Sequence, residues 1–297
     1  MPSVGADRPI ENKMIIQARK RYVLIASVTK MGQGRLCVGG YEMPEGWSPR
    51  AWTPGELLPS PTRSVRLMPE TDNAYPESSL LAPGEMIGAE LVDRTAITPP
   101  HTEDVYVRSS VLVTAQGQPA VFPSMLRQIA IRGHSGPVGA LFDGHLLRKP
   151  NGRAFMSARA LTFSTQWWAP DRAMSEVRAV RRSFDNKMVL QATETATGDL
   201  WTFSYVGRKP LCYRLFNQAA TNGSLNDASG LLLLRMSLAR WWAGKHDEGI
   251  VVCYGDLSAA WFAPNDDPGL FVPLICSEEK EGECSHVETE DGGDLPF

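Results

Sequence analysis

The sequence predicts a mostly β protein made of two small barrels or sandwiches. Its apolar residues fall into short runs of strand length rather than long helical patterns. Turn formers interrupt these runs often, with 26 glycines and 22 prolines in 297 residues. This length allows one large or two ordinary domains, and an apolar content of 43% is enough for a packed core. Short strands with few helices favour a layered or closed β architecture.

The first half of the chain holds four strand patterns and one helical pattern. Turn residues at 29–34 separate the first two strands, and residues 43–61 are too rich in proline, glycine and tryptophan for a long element. Pro123 suits the first turn of the helix, where its missing N–H costs nothing. The predicted strands are 22–28, 35–41, 84–92 and 105–113, and the predicted helix is 121–133.

The second half repeats this character. Tight turns at Asp185-Asn186 and Gly198-Asp199 predict a three-stranded meander over 176–206. Residues 231–242 fit a buried strand or a short helix, because periodicity alone does not separate the two, and a polar loop at 217–230 precedes them. The predicted strands are 158–164, 177–184, 187–195, 200–206 and 250–254.

Charge is distributed unevenly along the chain. After residue 276 there are eight carboxylate side chains and one lysine, while the whole chain has a net charge of −3, so residues 1–276 carry about +4. A basic body with an acidic tail indicates contact with nucleic acid, and the tail is too acidic and too poor in apolar residues to fold. The predicted organisation is a flexible leader (1–19), a first β domain (20–150), a second β domain (151–275) and a disordered acidic tail (276–297).

The chain ends in a proline followed by a phenylalanine that carries the free carboxylate. Such a tip can place its ring in a pocket while a cation binds its carboxylate. The ending resembles the C-terminal tip of bacterial single-stranded DNA-binding proteins, and this resemblance implies that it recruits DNA-processing enzymes. The alternative is a solubilising tail. The residues that match, and the predicted partner-binding residues, are Asp291, Asp294, Leu295, Pro296 and Phe297.

The body also resembles a known family. A strand at 22–27, the segment Gly-Arg-Leu-Cys-Val-Gly-Gly at 34–40 and Gly-Trp-Ser-Pro-Arg at 46–50 are similar to the opening of the dual OB-containing domain family. The order Ser-Pro-Arg departs from that family's pattern. The resemblance extends over residues 20–260 and implies two OB-like barrels, a fold that binds single strands on one face.

Single-strand binding needs cations for the phosphates and aromatic faces for the bases. Aromatic and basic residues cluster in both halves, and four arginines lie within 172–182 beside two carboxylates. The competing interpretation is that the tryptophans belong to the core and the arginines to a solvated strand face. The predicted nucleic-acid-binding residues are Trp47, Arg50, Trp52, Trp167, Trp168, Arg178, Arg181, Arg182, Arg208 and Lys209.

Nothing in the sequence completes a catalytic or cofactor site. The five histidines have no paired spacing, and the common zinc, redox and phosphate-loop motifs are absent. We therefore predict a protein that is not an enzyme and needs no cofactor. Two weaker alternatives remain, a metal-dependent nuclease and a zinc site. Their candidate ligands are Glu103-Asp104 and Asp266-Asp267 for the nuclease, and Cys276, Cys284 and His286 for zinc.

These observations lead to one functional expectation and one alternative. The sequence predicts a cytoplasmic protein that binds single-stranded nucleic acid, DNA before RNA, and recruits replication and repair enzymes through its tip. The alternative is a non-catalytic adaptor of a mobile element or defence system that mimics the tail to engage host partners. No membrane segment or signal peptide is predicted, five scattered cysteines suit a reducing compartment, and oligomerisation stays open.

Overall fold

The computed structural model describes residues 18–276, apart from short gaps within that range. The predicted leader, except for residues 18–19, and the predicted tail, except for Cys276, lie outside the described residues. The gaps are 54–55, 57–58, 72–73, 95–98, 114–120, 158–160, 223–229, 244–250 and 268–269.

The protein is mostly β, as the sequence predicts. The strands in the described ranges are β1 (Arg19–Met31), β2 (Arg35–Glu42), β3 (Arg63–Pro69), β4 (Tyr75–Pro76), β5 (Met86–Asp93), β6 (Asp104–Leu112), β7 (Leu147–Arg148), β8 (Ala154–Met156), β9 (Thr165–Trp168), β10 (Ser175–Arg181), β11 (Met188–Glu194), β12 (Leu200–Tyr205), β13 (Gly230–Leu238), β14 (Trp242–Ala243), β15 (Val251–Pro264) and β16 (Val272–Pro273). The helices are α1 (Val121–Ile131), α2 (Tyr213–Asn222) and two 3₁₀ segments, Pro49–Ala51 and Val138–Gly144. None of these helices is long and apolar enough to cross a membrane.

The first sheet closes into a five-stranded barrel. Its pairings run β1-β5-β6-β3-β2 and return to β1, with β4 attached to β2. All the barrel pairs are antiparallel except β3 with β6. When the five strands are counted in chain order, the barrel order is 1-2-3-5-4-1, which is compatible with an OB-type fold.

Strand β1 pairs with two neighbouring strands along different parts of its length. Its first part pairs with β5 and its later part with β2, and a bulge between Ile25 and Ser27 bends it. Val23 and Ile25 point into the barrel, whereas Leu24 packs into a second cluster outside it. Burial on both faces is the reason that the segment reads as an uninterrupted apolar run rather than an alternating one.

The second sheet repeats this order of pairings with its first strand in two pieces. Its path is β10-β11-β12-β15-β13-β9, and β12 with β15 is its parallel pair. Strands β9 and β10 are consecutive in the chain, and they pair with β13 and β11 as the two parts of β1 pair with β5 and β2. Helix α2 comes between the third and fourth strands of this series, and its Asn217 side chain accepts a hydrogen bond from Ala179 N at 2.8 Å.

A shared apolar cluster joins the two sheets. One face of α1 packs against residues from both of them, so the helix lies at their junction. Arg208 adds a polar link, because it follows β12 and donates to the backbone oxygens of Ser79 and Glu77 at 2.6 and 2.9 Å. The α1 residues in the cluster are Phe122, Met125, Leu126, Ile129 and Ala130.

Most predicted elements exist, and three need correction. The meander over 176–206 is confirmed as β10, β11 and β12. The ambiguous segment 231–242 is strand β13 as far as Leu238, and its last residue, Trp242, begins β14. The predicted polar loop is wrong at 217–222, where α2 continues to Asn222. The predicted strand at 158–164 is wrong for 161–164, because β9 begins at Thr165. The strand predicted at 250–254 runs to Pro264, because five shorter strands pair with it along its length.

Candidate nucleic-acid interface

The turn between β10 and β11 is tightly defined. Arg182 N donates to Lys187 O and Asn186 N donates to Arg182 O, both at 2.9 Å. Asn186 adopts a left-handed backbone conformation with φ 56°, which asparagine tolerates better than most residues. The hydrogen bonds and the left-handed asparagine hold residues 182–187, which we call the hairpin tip, in one shape.

The hairpin tip presents an aromatic ring to solvent. Phe184 is 80% exposed, and the guanidinium of Arg182 lies over its ring, 4.8 Å from the centroid. Asp185 fixes that guanidinium by accepting from its Nε at 3.1 Å and from a second nitrogen at 2.5 Å. The ring and the cation are therefore preorganised as a pair, and a large surface of the ring is left free.

Further cations lie along the same hairpin. Arg181 donates to the Asn186 side chain at 3.0 Å, and Arg178 donates to Gln191 at 2.9 Å on the solvent face of the hairpin. Lys187 is exposed, with its Nζ 3.8 Å from the Asp185 carboxylate. Between residues 176 and 188 there are four cationic side chains and two carboxylates, so the hairpin carries a net positive charge. Three of the predicted arginines, 178, 181 and 182, thus lie on one hairpin, with Arg178 and Arg181 on opposite faces of β10.

A second aromatic site lies on the first barrel. The rings of Tyr22 and Trp47 meet edge to face, with centroids 5.9 Å apart and an interplanar angle of 82°. They line a groove of about 540 Å³ whose wall includes the exposed Lys20. Arg21 also lines the groove, but its guanidinium lies 3.0 Å from Glu45. Arg50 is exposed in the 3₁₀ segment, whose N-cap, Ser48, accepts from its backbone N–H at 3.3 Å.

The other three predicted tryptophans belong to the core. Trp52, Trp167 and Trp168 are buried, and Trp168 donates its Nε1 hydrogen to Gly136 O at 3.0 Å. Trp167 packs edge to face against Phe271 in the cluster that joins the sheets. A buried ring has no free face for a base, so the expectation that these three stack on nucleic acid is corrected.

The predicted binding residues Arg208 and Lys209 differ in whether their charge is accessible. The Arg208 guanidinium is taken up by the carbonyl oxygens of the 77–81 loop and is not free for a phosphate. Lys209 is exposed, and its backbone oxygen accepts from the Tyr205 hydroxyl at 2.8 Å. Of this pair, only Lys209 offers its charge to solvent.

The acidic pair at 103–104 serves the fold. Glu103 accepts a hydrogen bond from Ser164 N at 2.8 Å, and its burial raises the pKa of its carboxyl. Asp104 binds Arg66 in a bidentate pair and Arg94 at 2.9 Å. Asp266 and Asp267 are exposed. In the ranges that the structure describes, no group of three or more His, Cys, Asp or Glu side chains is placed to hold a metal ion.

Several expectations fall on residues without a described position. Cys276 is described and buried, with its Sγ 3.7 Å from Leu211 O, whereas Cys284 and His286 lie outside the described residues. The predicted partner-binding tip lies outside them as well. It consists of Asp291, Asp294, Leu295, Pro296 and Phe297.

Sequence reasoning missed Phe184 and Tyr22. Phe184 ends a predicted strand next to an Asp-Asn turn, and an aromatic residue in that position could have been recognised as a tip residue. Tyr22 opens an apolar run and was assigned to it. The chain matches no protein-family model and no curated protein.

Proposed function

We propose that the protein binds single-stranded nucleic acid, DNA before RNA, in the cytoplasm, and recruits replication and repair enzymes through its acidic tip. The observation that carries the proposal is the hairpin tip, where the exposed Phe184 ring lies under Arg182 on a hairpin with a net positive charge. This hairpin joins the first and second strands of the second sheet's series. In OB folds, the corresponding loop is one of those that contact oligonucleotides.

Two kinds of interaction would hold the nucleic acid: stacking of bases and neutralisation of phosphates. A base stacked on Phe184 contributes about 1–3 kcal/mol, and it does so for any sequence because every base has a π face. The exposed cations of this hairpin, Arg178 and Lys187, would neutralise phosphates of the bound strand, so the affinity falls as salt rises. The groove between Tyr22 and Trp47 offers a second stacking position on the first barrel.

In this proposal, the acidic tail recruits enzymes to the bound nucleic acid. Its resemblance to the tip of single-stranded DNA-binding proteins supports a short docking ligand, in which Phe297 enters a pocket and its carboxylate meets a cation. Burying the ring is worth about 1.5–3 kcal/mol and a charge-assisted hydrogen bond about as much. After the entropy losses of association, such a contact is reversible and of micromolar strength.

The first test is fluorescence anisotropy of a labelled single-stranded oligonucleotide at two salt concentrations. Phe184→Ala should weaken binding by about 5- to 150-fold, the factor that corresponds to one lost stacking interaction. Leu80→Ala is the matched control, because Leu80 is equally apolar and 86% exposed but lies outside the hairpin. Equal affinities of the two variants would contradict the role of the hairpin tip.

The same titration with a chain lacking Asp294–Phe297 separates the two parts of the proposal. Truncation should leave single-strand affinity unchanged or slightly higher, because it removes negative charge, and should abolish capture of enzymes that bind the tip. If neither form binds the oligonucleotide and the tip still captures such enzymes, the adaptor is the correct function.

A further inference from the structure

A cavity of about 270 Å³, lined by several charged and hydroxyl side chains, lies between the two sheets. Strands β1, β2 and β3 of the first barrel form one side of it, and β9, β13 and β15 form the other. Two β-bulges occur at its walls, between Ile25 and Ser27 on β1 and between Arg235 and Met236 on β13. Bulges re-aim side chains and are common next to functional sites.

Arg235 lines this cavity and is only 2% exposed. One of its terminal nitrogens, Nη1, donates to the hydroxyl oxygens of Ser27 at 2.6 Å and Ser258 at 3.4 Å. Its Nε and Nη2 have no hydrogen-bond partner in the described part of the chain. Arginine cannot release its proton at ordinary pH, so a full positive charge is buried here with the N–H groups of two nitrogens unused.

No carboxylate of the described residues forms an ion pair with Arg235. Glu103 lines the same cavity, but its oxygens accept from Ser164 and Thr165. Asp256, on the opposite wall, is paired with Arg153 at 2.7 Å. Burial raises the pKa of the Glu103 carboxyl and the nearby charge of Arg235 acts to lower it, yet no described carboxylate accepts a hydrogen bond from Nε or Nη2 of Arg235. Buried charged groups are normally hydrogen-bonded, so these two nitrogens are open to an anion.

The backbone makes room for this guanidinium. Gly39 on β2 lies against it, and a Cβ at that position would be 2.8 Å from Nη2 and 3.1 Å from Nη1. Any side chain at residue 39 would push the guanidinium away. At the edge of the cavity, Lys30 and Arg240 are exposed cations that attract negative charge.

We propose that this cavity binds a small molecule through an anionic oxygen group, a carboxylate or a phosphate, which Arg235 takes with its Nε and Nη2. Arginine presents these two donors side by side, the arrangement that matches two oxygens of such a group. The hydroxyl groups of Ser27, Ser64 and Ser258 supply further polar contacts along the walls. The site is separate from the hairpin tip and does not depend on the proposed nucleic-acid binding.

Thermal unfolding with added anions tests this site. Inorganic phosphate and acetate are titrated separately, each against chloride at the same ionic strength. In the intact chain, at least one of them should raise the melting temperature in a saturable way, and Arg235→Met should weaken the apparent Kd about tenfold or more. Arg108→Met is the control, because Arg108 does not line the cavity, and it should keep the wild-type response.

The two anions distinguish a phosphate ligand from a carboxylate ligand. Stabilisation by phosphate alone identifies a phosphate ligand, and stabilisation by acetate alone identifies a carboxylate ligand. Equal responses of wild type and Arg235→Met, or no response to either anion, overturn the proposal. If Arg235→Met does not fold, a selenate-soaked crystal of the wild-type chain decides, because anomalous density beside Arg235 supports the site and its absence refutes it.

Discussion

A single buried histidine affects how the protein responds to acid. His101 lies in the loop before β6, and one ring nitrogen donates to Ala239 O at 3.0 Å, while Nδ1 has no partner in the described part of the chain. Burial lowers the pKa of this imidazole from 6.5 to about 4, and the nearby charge of Arg66 adds to the effect. The folded protein therefore holds His101 neutral at a pH where the unfolded chain already binds a proton.

This shift predicts a loss of stability as the pH falls from about 6.5 towards 4. Because the unfolded state binds more protons in that interval, the free energy of unfolding should fall by up to about 3 kcal/mol through this group alone. Urea unfolding at a series of pH values checks it, with His101→Gln as the comparison. The wild-type curve should fall more steeply than that of the variant, and parallel curves would contradict the assignment.

At the scale of elements, one carboxylate ties three strands of the first barrel together. Glu42, at the end of β2, is 2% exposed and accepts from Arg19 of β1 at 2.8 Å and from Arg63 of β3 at 3.0 Å. Burial alone would raise the pKa of Glu42, but the hydrogen bonds from Arg19 and Arg63 outweigh it and the pKa is lowered. The ionised carboxylate is thus part of the barrel's closure.

Glu42→Gln should lower the free energy of unfolding by about 2–3 kcal/mol, somewhat less than for a fully buried pair because its arginine partners are partly exposed. Chemical denaturation at neutral pH measures it. Glu45→Gln is the control: Glu45 also binds an arginine, Arg21, but is mostly exposed, so its removal should cost less than about 1 kcal/mol. Equal losses in the two variants would show that the burial of Glu42 does not determine its contribution to stability.

Because the pKa of Glu42 is lowered in the folded protein, its contribution to the free energy of unfolding should disappear as the pH falls below the ordinary value of 4.5.

Some of these elements could be predicted from the sequence and others could not. Hairpins with recognisable turns, such as β10–β11 at Asp185-Asn186, were predicted closely because the turn and both strands are local features. Helix α2 was missed at 217–222 because its polar residues there resemble a loop. The length of β15 was missed because it is set by partners far away in the chain, and no local pattern encodes them.

At the scale of the whole molecule, the cluster around α1 joins the two sheets, and they should unfold as one cooperative unit. Met125 is fully buried in that cluster, among residues of both sheets such as Leu24 and Leu233. Met125→Ala should cost about 2–5 kcal/mol and lower hydrogen-exchange protection in both sheets together. Exchange measured by mass spectrometry tests this, with Leu67→Ala, inside the first barrel, as the comparison. Loss confined to one sheet in the Met125 variant would contradict a shared core.

The candidate sites were only partly accessible from the sequence. The arginines of the hairpin were identified because several occur close together in the sequence. The tryptophans were not separated correctly: Trp52, Trp167 and Trp168 are buried and Trp47 is not, and nothing in the local sequence distinguishes a surface tryptophan from a core one. The cavity around Arg235 was not foreseen at all. Ser27, Gly39, Arg235 and Ser258 are distant in sequence and meet only because the two sheets pack together.

The position of β15 in the chain has a consequence for synthesis on the ribosome. All five strands of the first barrel are complete by residue 112, so that barrel can close while the rest is still being translated. In the second sheet, β8, β12 and β13 all pair with β15, which begins only at Val251. At 5–20 residues per second, the free edge of β12 therefore waits about 2–10 seconds for its partner. During that interval the nascent chain carries an unpaired strand edge, the kind of surface on which another chain can pair.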